Sequence, residues 1–285
     1  MQTTFLASAL PVDTGHTERP ARVDRLPPID ELDQLQGELT ELQPPAWLTQ
    51  LDAGARVGLR CLPARTRICK RVVDIFVASV LLILSLPVVV VAAVAIKLTS
   101  RGPIFFTQTR VGLNARRQQR RSRDEPGSNA SFSGRRRKAN FGKPFTIYKL
   151  RTMSVESSQG GPSQAKAGDS RVTWVGRILR QMRIDELPQL CNVLRGEMSM
   201  VGPRPECIEY MEELSEKIPG YLQRLGLKPG LTGIAQIEAG YANNLASYRR
   251  KVAFDLMYLQ HCSVRNDLKV MLRTIRVVLT GFGAL

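Results

Sequence analysis

Between Ile75 and Ile96 the chain reads IFVASVLLILSLPVVVVAAVAI, 22 residues without a charge. About 20 apolar residues at ~1.5 Å rise cover the ~30 Å hydrocarbon core of a bilayer, so this block predicts a membrane-embedded helix. Elsewhere the pattern is shorter. The Phe-Thr-Ile-Tyr portion of residues 142–153 alternates apolar and polar positions, which predicts a short strand delivering Lys149 and Arg151 to one area. Trp174, Ile178, Leu179 and Met182 recur at helical spacing, with Arg180 and Arg183 off that stripe. Near the C-terminus, Leu268, Met271, Leu272, Ile275, Val278 and Leu279 share one broad helical face, with Lys269, Arg273 and Arg276 elsewhere. Such a face either lies in a membrane interface or packs on a core. Residues 1–60 show Pro and short polar runs, which predict a mostly disordered extension with a short helix near 29–42. No early apolar run has signal-peptide length, so secretion is not expected.

The flanks of the apolar block complicate a simple span. Pro87 stands in its middle, where it removes a backbone hydrogen bond and bends a helix. Arg65, Arg67, Lys70 and Arg71 precede the block, and Lys97 and Arg101 follow it. The positive-inside preference then holds both ends on the cytoplasmic side. A helix broken at Pro87 that dips into one leaflet and returns satisfies both observations; an ordinary bitopic anchor with a mid-helix proline and a buried core helix are the alternatives. Asp74, at the mouth of the block, is costly in lipid unless paired, and Arg71 lies three residues earlier on the same helical face.

Charge narrows the set of partners. The 285 residues carry a formal +16, but residues 1–60 hold nine acids against five arginines, leaving 36 cations against 16 acids in the rest. That excess points to nucleic acid, an anionic membrane surface or a phosphorylated small substrate. Residues 115–140 concentrate nine cations around two acids and one aromatic. This composition reads as a solvated loop, and with no aromatic interleaving or DNA-binding motif it suits anionic lipid headgroups better than nucleic acid. His16 and His261 are the only histidines, which argues against a histidine metal site or relay and shifts acid-base or nucleophilic work to carboxylates. The five cysteines contain no CxxC spacing, so a zinc framework is not expected. The length allows one large domain, or one domain with an appendage.

The candidate chemistry lies beyond Phe141. In Ile184-Asp185-Glu186-Leu187-Pro188-Gln189-Leu190 the proline suits a first helical turn, which places Asp185 and Glu186 at a helix N-terminus where anions are favoured. With Arg180, Arg183 and Lys149 nearby, both carboxylates are expected to stay ionised with ordinary titration. An ionised Asp is a competent nucleophile toward phosphorus, and a neighbouring Glu can hold Mg²⁺; a plain acidic cap on a surface helix is the alternative. Gly202-Pro203-Arg204-Pro205 braces one guanidinium between prolines, as a fixed phosphate contact requires, and Lys228-Pro229-Gly230-Leu231-Thr232-Gly233 is a second braced turn. Neither GxxxxGK[ST] nor GxGxxG is present.

In order, these pieces resemble the monotopic polyprenyl-phosphate phosphoglycosyl transferases, the bacterial sugar transferase family. The resemblance covers about residues 67–285 outside the insert. It rests on KRVVD (70–74), RGPIFFTQTRVG (101–112), GKPFTIYKLRTM (142–153), SRVTWVGRILR, IDELPQLCNVLRGEMSMVGPRPE (184–206), LKPGLTGIAQ (227–236) and DLKVMLRTIRVVLTGFGA (267–284). It implies a helix-rich α+β fold, monotopic, with a re-entrant helix and interfacial amphipathic helices. The implied division is an acidic extension (1–66), a membrane helix (67–100) and a catalytic domain (101–285) on the cytoplasmic face of the bacterial inner membrane. The implied reaction moves a phosphosugar from a UDP-sugar to an aspartate, releasing UMP, and then to undecaprenyl phosphate, as the first step of exopolysaccharide, capsule or O-antigen assembly. Asp185 matches the nucleophile and Glu186 its Mg²⁺-associated partner, so the dyad is the expected metal site. Arg180 and Arg204 match arginines of the phosphate site, with Lys149 and Arg151 as further substrate-binding candidates. A non-covalent metal-dependent sugar transferase and a basic membrane-bound scaffold are the competing functions. The chain departs from the family where Leu86 precedes Pro87, the serine being Ser85, and in Ile237-Glu238-Ala239-Gly240-Tyr241 after Gln236.

Overall fold

The computed structural model describes residues 44–50, 62–113, 141–154, 169–218, 220–240 and 245–281. The expected helix near 29–42, most of the 1–66 extension and the basic insert lie outside these residues. The apolar block forms helix α1, Ala64–Thr99, 36 residues that begin directly after Pro63. The helix includes Pro87, whose missing N–H leaves one rung of the ladder unmade and weakens it locally. Ser85 Oγ donates to Leu82 O at 3.3 Å in the same turn.

Two ends of α1 are built into the folded body. Lys70, Asp74 and Ala78 are buried near its start and Ala92 and Ile96 near its end, whereas no residue from 79 to 91 is buried. Asp74 accepts from Ser199 Oγ at 2.8 Å and from Met200 N at 2.9 Å. Lys70 pairs with Asp267 and donates to Tyr258 OH at 2.8 Å. Arg71, which the spacing placed with Asp74, instead donates to Val193 O at 2.6 Å and Leu194 O at 2.8 Å. Buried ions this well bonded fix geometry more than they stabilise, because desolvation offsets much of the attraction.

Strands β1 (Phe105–Val111) and β2 (Pro144–Leu150) pair antiparallel, Phe105 opposite Leu150 and Val111 opposite Pro144. Phe145 and Ile147 enter the core, and period-2 alternation sends Lys149 to the same side. Helix α2 (Trp174–Gln181) starts on Thr173, whose side chain accepts from Gly176 N at 2.9 Å. A 3-10 turn over Ile184–Gln189 continues into α3 (Leu190–Arg195), which ends on Gly196 in the left-handed region. Strand β3 (Ser199–Val201) pairs parallel with β4 (Gly230–Thr232). Helix α4 (Ile208–Lys217) and a 3-10 turn over Tyr221–Gly226 lie between them, and α5 (Ile234–Glu238), α6 (Leu245–Gln260) and α7 (Val264–Thr280) follow. Among the described residues this is a helix-rich α+β fold with two two-stranded sheets. The main core joins Phe145, Ile147, Leu190, Val193 and Met200 to the buried run of α6; a smaller one joins Ala92 and Ile96 to Leu150, Val175 and Leu179.

Several apolar faces stay outside. On α2 only Leu179 of the predicted stripe is buried, while Trp174, Ile178 and Met182 are exposed. On α7 Leu268, Leu272, Ile275 and Leu279 are exposed, while Met271 of the same stripe packs against the main core. On α1 the exposed set includes Phe76, Ile83, Leu84 and Val91. Continuous apolar exposure of this kind marks an interaction surface.

Candidate active site

Residues from three places converge on the 3-10 turn. Lys149 arrives from β2, Arg204 from the loop after β3, and Arg180 from the last turn of α2. Glu186 Oε1 accepts from Lys149 Nζ and from Arg204 Nη2, each at 2.7 Å, and Oε2 lies 3.4 Å from Arg204 Nη1. Arg180 donates through Nε to Thr152 Oγ1 at 2.9 Å, which seats its guanidinium within the field of Asp185. Asp185 receives no hydrogen bond from the described residues, although it is only 8% exposed. The chain reaches this turn through Arg183 at φ 55°, the one non-glycine among the described residues in the left-handed region. That conformation costs about 1–2 kcal/mol and reverses the chain at the end of α2, where glycine is the usual residue.

The two adjacent carboxyls do not titrate alike, contrary to the expectation of ordinary behaviour for both. Burial pushes Asp185 up to about 6; Lys149 pulls it down, the Glu186 charge adds to the rise, and Arg180 and Arg204 oppose it. Burial acts on Glu186 in the same sense, but Arg204 and Lys149 bond it directly and hold it well below the usual carboxylate range. Lys149 is lowered by burial, an effect Glu186 partly offsets. Neighbours with opposed surroundings differ in charge behaviour: Glu186 is held ionised by two cations, and Asp185, raised to about 6, has no hydrogen bond from the described residues.

The Arg204 loop is fixed from behind. Pro203 O accepts from Gly230 N at 2.8 Å, Arg204 O from Arg224 Nη2 at 2.9 Å, and Pro205 O from Arg110 Nη1 at 3.2 Å. All three carbonyls of the Pro-Arg-Pro segment are therefore held, which positions the guanidinium more firmly than the prolines alone. Arg224 also lies 2.9 Å from Asp255 Oδ2, and burial raises that carboxyl to about 6 against the pull of Arg224. Arg110, Thr152, Arg224 and Asp255 escaped the sequence reading. Arg110 and Thr152 lie within quoted motifs without standing out there, Arg224 and Asp255 lie outside them, and only their partners in space mark all four.

Arg151 goes elsewhere. Its Nη1 donates to Arg101 O at 2.6 Å and its Nη2 to Ser100 O and Oγ at 2.8 Å, so the side chain ties the end of α1 to β2 and does not join Lys149 at the dyad. Alternation would send residues 149 and 151 to one side, but β2 ends at Leu150 and Arg151 lies beyond it, free of the strand's pleat. Ser85 and Pro87 lie in the unburied middle of α1, distant from the dyad in sequence.

As for metal ligation, no group of three or more His, Cys, Asp or Glu side chains clusters among the described residues. The oxygens of Asp185 receive no hydrogen bond from the described residues, and Oε2 of Glu186 receives only the long 3.4 Å one from Arg204 Nη1. Two carboxylates fit Mg²⁺, which commonly takes one or two together with water and substrate phosphate oxygens.

Comparison with known proteins identifies the family. UDP-glucose:undecaprenyl-phosphate glucose-1-phosphate transferase of Caulobacter vibrioides is 40% identical over 260 residues, 90% of this chain and 86% of that relative. UDP-N-acetylgalactosamine-undecaprenyl-phosphate N-acetylgalactosaminephosphotransferase of Aeromonas hydrophila is 40% identical over 215 residues, 75% of this chain but 44% of its own length. The glucose-1-phosphate transferase of Escherichia coli is 38% identical over 211 residues, 73% of this chain and 40% of its own. The chain thus spans less than half of these last two. The bacterial sugar transferase family matches residues 65–120 and 122–281, a stretch that holds α1, the Asp185-Glu186 pair and the Arg204 loop together, and the chain belongs to that family.

Proposed function

We propose that the chain is a phosphoglycosyl transferase that moves a sugar 1-phosphate from a UDP-sugar to undecaprenyl phosphate through an aspartyl-phosphosugar intermediate. The observation that carries this reading is the division of the dyad, in which Glu186 is bonded by two cations while buried Asp185 is hydrogen-bonded by none of the described residues. An Asp185 oxygen attacks the phosphorus that bears the sugar, and the bond from that phosphorus to the UMP oxygen breaks. UMP leaves with the electron pair. An oxygen of the polyprenyl phosphate then attacks the same phosphorus, the bond to Asp185 breaks, and the carboxylate is restored with a polyprenyl diphosphosugar as product. Anionic attack on an anionic diphosphate is repulsive, and Lys149, Arg180 and Arg204 supply the preorganised positive charge that offsets it. Mg²⁺, held by Asp185 and Glu186 Oε2, would neutralise diphosphate oxygens. The product would begin a lipid-linked surface glycan.

The same reading includes a re-entrant α1 with both ends on the cytoplasmic face. Supporting it, Lys70 and Asp74 at one end and Ser100 and Arg101 at the other bond one folded body, while residues 79–91 carry no buried position. A helix crossing the ~30 Å hydrocarbon core would separate those ends across the bilayer. The exposed faces of α2 and α7 suit the interface, and would bring the dyad to the level of the acceptor's phosphate.

The test incubates the purified protein with a panel of UDP-sugars, Mg²⁺ and undecaprenyl phosphate and measures UMP release. UDP-glucose and UDP-N-acetylgalactosamine head the panel, because relatives are named for them. Asp185→Asn is expected to abolish release and to prevent capture of phosphosugar on the protein. Substantial turnover by that variant overturns the nucleophile assignment.

A further inference from the structure

A cleft of about 310 Å³ opens at the start of α1, lined by residues from α1, β3, the turn before β4, and α6. It is separate from the dyad. The Asp185-Glu186 turn begins the helical run that α3 completes, whereas the cleft lies at the other end of that run, where Arg71 holds the Val193 and Leu194 carbonyls. Eight or nine helical residues put roughly 15 Å between them. No residue lining the cleft belongs to the set around Asp185.

The floor of the cleft is already neutralised. Asp74 has its oxygens bonded by Ser199 and Met200 N, and Lys70 is matched by Asp267 and Tyr258. The rim is not. The side chains of Arg67 and Lys228 have no hydrogen-bond or ion-pair partner among the described residues. Arg71 uses one donor from each terminal nitrogen on a carbonyl, and its remaining N–H groups are left for a ligand. Arg71 and Lys228 also converge: the point where a Cβ on Gly196 would sit is 3.4 Å from Arg71 Nη2 and 3.8 Å from Lys228 Nζ. Two like charges held this close, one on half-buried Lys228, repel each other unless an anion joins them. Burial and then Arg71 push the Lys228 ammonium toward its neutral form, and the Asp74 carboxylate, already bonded by Ser199 and Met200, offsets only part of this.

We propose that this cleft binds a phosphate group between Arg67, Arg71 and Lys228, as a second phosphate site distinct from the one at Asp185. The surroundings suit a phosphate that carries a hydrocarbon chain. Ile68 and Val72, one position round the helix from Arg67 and Arg71, are exposed and apolar, and they lead onto the apolar face of α1. A phosphate seated on the rim would lie at the mouth of the membrane helix with its chain along that face. It would also join α1 to the β3–β4 unit, because Lys228 precedes β4 and Arg71 lies on α1. This site does not depend on the proposed catalysis, and its test reads binding rather than turnover.

The full-length protein in neutral detergent is titrated with dodecyl phosphate, inorganic phosphate and UMP, and binding is followed calorimetrically and by native mass spectrometry. The titrations are run with Arg204 intact and in an Arg204→Gln chain, where phosphate binding at the dyad is removed. In both, Arg67→Gln with Lys228→Gln is expected to weaken dodecyl phosphate binding at least tenfold, while Lys228→Arg retains it. Inorganic phosphate that competes with the same sensitivity shows that the rim reads phosphate alone; dodecyl phosphate binding without such competition shows that the chain is recognised too. Either result keeps the proposal. Equal binding by the intact chain and the double Gln variant overturns it, as does binding lost only on Arg204→Gln. Absence of UMP release alongside rim-dependent binding would count against the catalytic reading alone.

Discussion

Asp185 is an anion held where burial disfavours anions, and that has a consequence for folding as well as for chemistry. Its carboxyl titrates near 6 in the folded chain against 3.8 as an unperturbed group. The folded state therefore binds this proton more tightly than the unfolded state, so the group's contribution becomes more favourable as pH falls from about 6 toward 4 and is a fixed cost above 6. Asp185→Asn mimics the neutral form. It is expected to melt at higher temperature than the parent at pH 8, with the difference closing near pH 4, as thermal unfolding monitored across that range will show. Stability gained by removing a functional charge is a common trade-off. The same titration predicts a rising limb in UMP release against pH with an apparent midpoint near 6, since only the ionised carboxylate attacks phosphorus. At pH 7 about nine-tenths of the groups are ionised. A flat profile between pH 5 and 7.5, with binding saturated, would show that Asp185 ionisation does not limit the reaction.

At the scale of elements, α2 positions the site through a contact that tolerates no added atom. A Cβ on Gly176 would meet the backbone carbonyl Thr152 O at 2.1 Å, and the Oγ1 of the same Thr152 accepts from Arg180 Nε. Gly176→Ala must push α2 away from the end of β2 and take Arg180 with it. Overpacking of this kind costs about 1–3 kcal/mol. The expected outcome is a lowered melting temperature and strongly reduced UMP release; unchanged values of both would show that the helix can shift freely. Much of this element layout was legible in the chain, and the reason is locality. Phe145 and Ile147 alternate inward as period 2 demands, and Pro188 marks a helical start wherever the turn sits. What was not legible depends on partners distant in sequence. Arg151 looks like Lys149 until the end of α1 arrives to receive it, and Arg224 is an ordinary cation until Arg204 O and Asp255 meet it. Periodicity grouped Leu179 with Trp174, Ile178 and Met182 but could not say that only Leu179 would face the core. Adjacent carboxylates looked equivalent because their difference lies in burial, which no local pattern encodes.

The whole molecule has a sidedness that these parts share. The acidic extension is followed by a strongly basic body, and from that body three helices present apolar faces outward: α1 through Phe76, Ile83, Leu84 and Val91, α2 through Trp174, Ile178 and Met182, and α7 through Leu272, Ile275 and Leu279. The far ends of α2 and α7 adjoin, since a Cβ on Gly281 would sit 3.8 Å from Gln181 Cγ. Leaving this much apolar surface in water is unfavourable by about 25 cal/mol per Å², so a membrane contact involving these faces is the arrangement that lowers the free energy. Such a contact does not require crossing. Arg151 binds the carbonyls of Ser100 and Arg101, and Lys70 and Asp74 bond α7, α6 and β3, so one folded body grips α1 before and after its apolar stretch. If that body stays on one side, residues 69 and 101 must share that side. Cys69 is native and exposed, and Arg101→Cys supplies the second probe without removing the carbonyl that Arg151 holds. In a background lacking the other cysteines, a membrane-impermeant maleimide is expected to leave both sites unlabelled in intact cells and to modify both in inside-out vesicles. Labelling of one site in cells and the other in vesicles would require α1 to cross the bilayer, and the grip on one of its two ends would then have to be released in the membrane.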